Sequence, residues 1–217
     1  MSARLPAFSD RTDAGRHLGE ALVDRVDGDV IVYAIPRGGV PVALEVARAL
    51  EAPLDIALAR KIGAPDNPEV ALAAVIDGSH PRTVINEDIV RLTGVSPAWL
   101  DRERLSALAE LERRRRLYFE GRRRLDPKGH VVVVVDDGLA TGATARAAIA
   151  GLRAQGARRV ALATPVAPGG LAASFRKEVD DFVCLLEPEP FRSVGEAYGE
   201  FHQVDDAEVI ACLREVL

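Results

Sequence analysis

Apolar positions along the chain fall into two alternating periods. Mainly apolar runs occupy 30–35, 54–59, 131–135, 159–164 and 181–186. They are short and rich in Val, Ile and Leu, so they predict strands buried on both faces, as in a parallel sheet covered by helices. Between them the apolar residues space themselves helically. Ala14, Leu18, Ala21, Leu22 and Val26 predict a helix over 9–26, with Ser9 or Asp10 as its N-cap. Further helices are predicted from about 40 to 50, from 145, over 170–177 and from 205 or 206 to the end. Repeated strand–helix units imply an α/β fold, a doubly wound parallel sheet whose ligand site lies where strand C-terminal ends converge.

Two regions break this alternation. From about 77 to 125 the pattern predicts a mainly helical insertion. Asn86-Glu87-Asp88 opens a short helix, Ser96-Pro97 is a cap and first-turn pair, and a charged helix runs to about Tyr118 with Leu105, Leu108, Leu111 and Tyr118 as its apolar stripe. From about 187 to 217 the chain becomes an irregular segment bearing Phe191, Tyr198 and Phe201, then a last helix. The whole of 1–217 reads as a single domain.

Composition narrows the function classes. Net charge is −5, so the arginines at 113–116 and 122–124 do not make a case for nucleic acid, and Glu103, Glu110 and Glu112 share their helix. That helix reads as a solvated or subunit-contacting face. No apolar run approaches the ~20 residues of a membrane span, and residues 1–10 lack the apolar core of a signal peptide. Cys184 and Cys212 sit among apolar residues and read as buried thiols, which suits a cytoplasmic setting. No metal-ligand spacing stands out, and His17, His80, His130 and His202 have ordinary surface or capping readings, with His202 alone near a candidate site.

The chemistry concentrates after the five valines 131–135. Asp136 and Asp137 follow where the strand should end, then Gly138, Leu139, Ala140, Thr141, Gly142, Ala143 and Thr144, then a helix. A small-residue loop that opens a helix offers free N–H groups and a favourable dipole to phosphate. The acidic pair, and the lack of Gly-Lys-Ser/Thr, separate it from a P-loop of the Walker type. Carboxylates beside a phosphate repel it unless something lies between, and a ribose diol can take that place. A plain αβ turn with a chance Asp-Asp is the bland alternative.

This fourteen-residue stretch resembles the phosphoribosyl pyrophosphate (PRPP) signature of type I phosphoribosyltransferases. The resemblance implies transfer of the 5-phosphoribosyl group from Mg²⁺-bound PRPP to a nitrogen nucleophile, with pyrophosphate released. Asp136 and Asp137 would hold the ribose and residues 138–144 the 5-phosphate. Pro36-Arg37-Gly38-Gly39, after the strand at 30–35, would hold pyrophosphate with Arg37 as its cation. Arg60-Lys61, otherwise a solvated strand end, would reach the same group, with Lys61 acting in catalysis beside Arg37. Residues 62–69 are expected to be a mobile loop over the site, with Glu69 a candidate base, followed by a strand from Val70 to Ile76. Phe191, Tyr198 and Phe201 would form a hood over the acceptor. A homodimer is expected. Ala140 stands where hypoxanthine–guanine enzymes carry an aspartate, so the acceptor stays open, and a PRPP-sensing regulator on the same fold is the alternative.

Overall fold

The computed structural model describes residues 7–77, 81–120 and 123–215. Its centre is a five-stranded sheet, wholly parallel, in the order β2-β1-β6-β7-β8. The strands are β1 (Val30–Ala34), β2 (Leu54–Ile56), β6 (Val131–Val135), β7 (Arg159–Val166) and β8 (Asp181–Leu186). Helices α1 (Arg11–Val23), α2 (Gly39–Ala49) and α7 (Asp206–Arg214) cover one face, and α5 (Ala143–Ala154) and α6 (Gly169–Glu178) the other. The valines of β6 show why the run has no polar alternation. Val131, Val133 and Val135 pack with α2, Val132 and Val134 with α5, and none is more than 2% exposed. Burying one such side chain is worth roughly 1.5–3 kcal/mol, so a polar residue here would weaken two layers at once.

Register places the site. Ala34 pairs with Val135, so β1 and β6 end side by side. From β1 the chain crosses through α2 to β2 on one side, and from β6 through α5 to β7 on the other. The boundary between β1 and β6 is therefore the topological switch point, where a crevice opens beyond the strand ends.

Helix α1 lies unusually close to α2. A Cβ on Gly15 would fall 2.7 Å from the Val42 carbonyl oxygen, and one on Gly19 would fall 2.6 Å from the Ala49 Cβ. Asp10, not Ser9, caps α1, accepting from Asp13 N at 2.8 Å. Small residues at the contact and a formed cap fix where the first turn of α1 lands.

The predicted strand at 54–59 and loop at 62–69 are corrected. The chain breaks at Ala57-Leu58 and enters a second, antiparallel sheet of β3 (Ala59–Ala64), β4 (Asn67–Ile76) and β5 (Arg82–Ile85). Pro65 and Asp66 form the tight turn of the β3–β4 hairpin, Gly63 and Pro68 lie within its strands, and the register shifts around Gly63 absorb the irregularity. The excursion from the central sheet thus starts at Ala59 and carries strands as well as α3 (Glu87–Thr93) and α4 (Pro97–Tyr118). Asn86 and Ser96 cap these helices as predicted. Leu105 is exposed rather than part of the α4 stripe, which consists of Ala107, Leu111 and Tyr118 with Trp99, Leu100, Leu108 and Leu117 partly buried. Glu69 lies in β4, but its side chain, like His80 and Arg122, falls outside the described residues. Among the described residues no helix is long and apolar enough to cross a membrane.

Candidate active site

Two loops meet at the switch point. The 36–39 loop turns tightly: Ile35 N donates to the Val135 carbonyl at 2.8 Å, Gly39 N to the Ile35 carbonyl at 3.1 Å. Its glycines are required by contact. A Cβ on Gly38 would lie 2.0 Å from Asp137 Oδ2, and one on Gly39 would lie 2.8 Å from the Val135 carbonyl oxygen. The first loop therefore presses its backbone directly on the acidic pair at the end of β6.

The second loop is anchored at several points. Leu139 is buried, and its N–H donates to the Val166 carbonyl at 2.9 Å. Gly142 adopts φ 71°, a left-handed conformation, at the N-cap of α5. Arg146 ties the loop down from the next turn, reaching the Thr141 carbonyl at 3.2 Å and Glu178 through two bonds of 2.8 and 2.9 Å. With Gly142 as cap, the first N–H groups of α5 have no helical acceptors. Ala140 and Thr141 are exposed, and Ala143 and Thr144 half-buried, so this end of the loop is open to a ligand.

Asp136 and Asp137 occupy the floor between the loops. Asp137 N donates to Asp136 Oδ1 at 3.0 Å. Burial pushes both carboxyls above their ordinary range; the charge of Asp137 pushes Asp136 further up. Arg11 opposes this on Asp137: its Nε and its second terminal nitrogen each lie 2.9 Å from Oδ2.

Arg11 was not among the residues singled out from sequence. A signal was present, since Arg11 continues the apolar face Ala14, Leu18, Leu22 toward the N-terminus of α1. A charged residue on a buried helix face must find a partner. Tyr198, whose ring was expected over an acceptor, instead turns its hydroxyl to donate to the Asp137 carbonyl.

The hood residues divide. Tyr198 is buried, stacked on Phe201 at 5.0 Å and tilted against Phe8 at 5.7 Å. Phe201 is exposed at one face, and the Arg11 guanidinium covers its ring at 4.0 Å. Phe191 packs instead on the edge of a small core of Phe8, Ala14, Val166, Ala197 and Tyr198. The segment is less irregular than predicted: a 3-10 turn, Val194–Ala197, lays Val194 against Gly138, where a Cβ would meet it at 2.2 Å. The chain's first described residues complete the hood, since Phe8 N donates to the Ala197 carbonyl at 3.0 Å and Gly199 N to the Phe8 carbonyl at 2.8 Å. His202 contributes its carbonyl to Arg11 at 2.8 Å, while its ring meets Glu208 at 2.9 Å.

The cations distribute differently from expectation. Arg37 leaves its loop toward α7, 3.9 Å from Asp206, a carboxylate shared with the Tyr118 hydroxyl and, at 3.5 Å, with Arg113 of α4. The inserted helix thus reaches the edge of the site. Arg60 and Lys61 sit in β3, in the antiparallel sheet rather than at a strand end of the central one, with Arg60 exposed and Lys61 half-buried.

The model of the family described as phosphoribosyl transferase domain matches residues 10–196, nearly the whole of the sheet and both loops. The chain belongs to that family. It is 45% identical, over 206 residues and 95% of its length, to proteins of two Mycobacterium tuberculosis strains named "Putative phosphoribosyl transferase". It spans about half of those relatives, 46% of their length. Among solved structures, the protein TT1426 from Thermus thermophilus superposes with a TM-score of 0.85 at 40% identity, covering 96% of this chain and 98% of that one. In the phosphoribosyl transferase domain described here, the acidic pair, both glycine loops and the hood converge on one place, and the β3 cations stand apart in a separate sheet.

Proposed function

We propose that this domain binds PRPP at the switch point and transfers its 5-phosphoribosyl group to a nitrogen nucleophile, releasing pyrophosphate. The observation that carries the reading is the pairing of two unlike loops at one crevice. Donors to the acidic pair reach Asp136 Oδ1 and Asp137 Oδ2. The second oxygen of each carboxylate is then available to one hydroxyl of a ribose diol. The loop from Gly138 to Thr144, with the α5 amides and the Thr141 and Thr144 hydroxyls, takes the 5-phosphate. Within Pro36 to Gly39, the Arg37 and Gly38 N–H groups face pyrophosphate, and Arg37 exchanges Asp206 for it, its planar fork suiting a diphosphate. Arg60 and Lys61, which open the β3–β4 hairpin soon after the end of β2, would add their charge to the same group.

Among the described residues no cluster of three or more His, Cys, Asp or Glu could hold a metal alone. This fits Mg²⁺ arriving on the ligand's own oxygens, as the ion favours substrate phosphates and retained waters. Bound there, Mg²⁺ would neutralise the leaving diphosphate. The chain's own residues orient the reactants. Anchoring the 5-phosphate places ribose C1 by binding energy spent far from it. Asp136 and Asp137 add negative charge near the cation that develops as the C1–oxygen bond breaks. The hood rings Tyr198 and Phe201 exclude water, whose attack would waste the donor. The reading extends to a cytoplasmic homodimer with 1–217 as one domain.

The test is PRPP-dependent pyrophosphate release with Mg²⁺ across a broad panel of nucleobases and small amines. Release with one acceptor class supports the transferase. PRPP binding without release from any acceptor would replace it by a PRPP sensor, and absence of PRPP binding would contradict both.

A further inference from the structure

Arg11 is only 6% exposed, although α1 lies at the surface of the sheet. A buried guanidinium is costly unless its donors are used. Here they are divided among three places: Nε and one terminal nitrogen to Asp137 Oδ2, the other terminal nitrogen to the His202 carbonyl, and the planar face to Phe201. The scaffold fixes this arrangement, because Gly15 and Gly19 seat α1 on α2 and Asp10 caps its first turn.

Asp137 is half-buried and contacted from three directions. Arg11 approaches it from α1, Asp136 adjoins it, and Tyr198 holds its carbonyl from the hood. The His202 ring points instead to Glu208 at 2.9 Å and Glu200 at 3.8 Å, and Arg37 points to Asp206. Arg11 is thus the countercharge that the structure brings into contact with Asp137.

We infer that Arg11 is a positioning residue for the acidic pair: it holds Oδ2 of Asp137, leaves the other oxygen to the ligand, and ties that carboxylate to the hood through His202 and Phe201. The inference rests on the PRPP reading above, in which Arg11 touches neither ribose C1 nor the acceptor. Two adjacent carboxyls in a poorly hydrated floor resist being ionised together. With Arg11 present, Asp137 is the member of the pair favoured as a carboxylate, and its free oxygen accepts from a diol. Without Arg11 the pair holds a proton more tightly, and one hydroxyl meets a donor instead of an acceptor. The same guanidinium makes closure of the hood and presentation of Asp137 a single event.

The experiment is calorimetric titration of PRPP with Mg²⁺ into the wild type, Arg11→Lys and Arg11→Met at a series of pH values from mildly acidic to mildly alkaline, because burial raises both carboxyls. The wild type should lose affinity only gradually as pH falls. Arg11→Met should bind about tenfold more weakly, the scale of one charge-assisted hydrogen bond, and lose affinity more steeply as pH falls. Arg11→Lys should recover the shallower wild-type profile while staying weaker, since it restores charge but not the fork. Wild-type affinity and an unchanged pH profile in Arg11→Met would overturn the inference. No binding by the wild type at any pH would overturn the PRPP reading, not the role of Arg11. That role is read separately, and without the Met variant, by ¹³C NMR titration of the aspartate carboxyls in the ligand-free wild type. Asp137 should give up its proton at lower pH than Asp136, and the reverse order would remove Arg11 as its countercharge.

Discussion

The two loops at the switch point share a scaffold and differ in everything else. Each follows a buried parallel strand and opens a helix, and β1 and β6 run in register up to Ala34 and Val135. The 36–39 loop is short, and its α2 N-cap Gly38 has ordinary right-handed angles. The β6–α5 loop is longer, carries two carboxylates and turns into α5 through a left-handed Gly142. The first presses its glycine backbone on the acidic pair; the second leaves the first amides of α5 without helical acceptors. The comparison teaches that the sheet supplies only an address, and loop length and glycine placement decide what is offered there.

The largest perturbation should come where the loops touch. In Gly38→Ala the new methyl would fall 2.0 Å from Asp137 Oδ2, so the carboxylate must move. Affinity for PRPP should drop by about a hundredfold, as expected for displacement by ~1 Å of a ligand-orienting group, and calorimetry would show it. Unchanged affinity would mean that the loops are merely adjacent. Asp137→Asn should keep the fold but weaken PRPP by about tenfold, because an amide offers a diol one acceptor and one donor. Unchanged PRPP affinity there would deny the acidic pair its role. Arg37→Ala should act next. It removes the cation of the first loop only, so pyrophosphate inhibition should weaken several-fold while ribose 5-phosphate affinity stays put; equal losses for both ligands would dissolve the contrast between the loops.

Smaller effects probe the inserted helix. Tyr118→Phe removes the hydroxyl on Asp206 and should cost about 1 kcal/mol, seen as a drop of a few degrees in melting temperature. The pH dependence of stability should differ in sign between regions. Bonds from Arg113 and then Arg114 lower Glu110 to about 2. Its contribution is therefore present above the ordinary 4.5 and fades as pH falls toward about 2. The acidic pair, raised first by burial, favours the folded state at low pH and loses that contribution as pH rises through the raised values. Urea titrations of the wild type and Glu110→Gln would separate the two, and identical acid profiles would show that the α4 pair is too exposed to matter.

What was legible in the sequence had local causes. The β6 run, its acidic end and its glycine loop are contiguous, so spacing alone identified them, and the caps Asp10, Asn86, Ser96 and Asp205 act within a turn of themselves. What was missed depends on distant partners. The strand at 70–76 was legible and is most of β4, but β3 and the start of β4 read as a loop because Gly63, Pro65 and Pro68 are strand-weakening residues, and these strands are specified by pairing with one another and by packing on α5, where Ile76 meets Gly151. Arg11 meets Asp137 across 126 positions and His202 across 191, so no window contains the contact. Phe191 and Phe201 look alike in sequence and differ because one fills a small core while the other shelves a guanidinium.

The most direct measurement is binding of ribose 5-phosphate, a ligand with the diol and the phosphate but no pyrophosphate, to the wild type and to Asp137→Asn. The account predicts measurable affinity in the wild type, reduced about tenfold in the variant. Equal affinity in both, or none in the wild type at millimolar ligand, would contradict the claim that the acidic pair and its loop form a phosphoribosyl site.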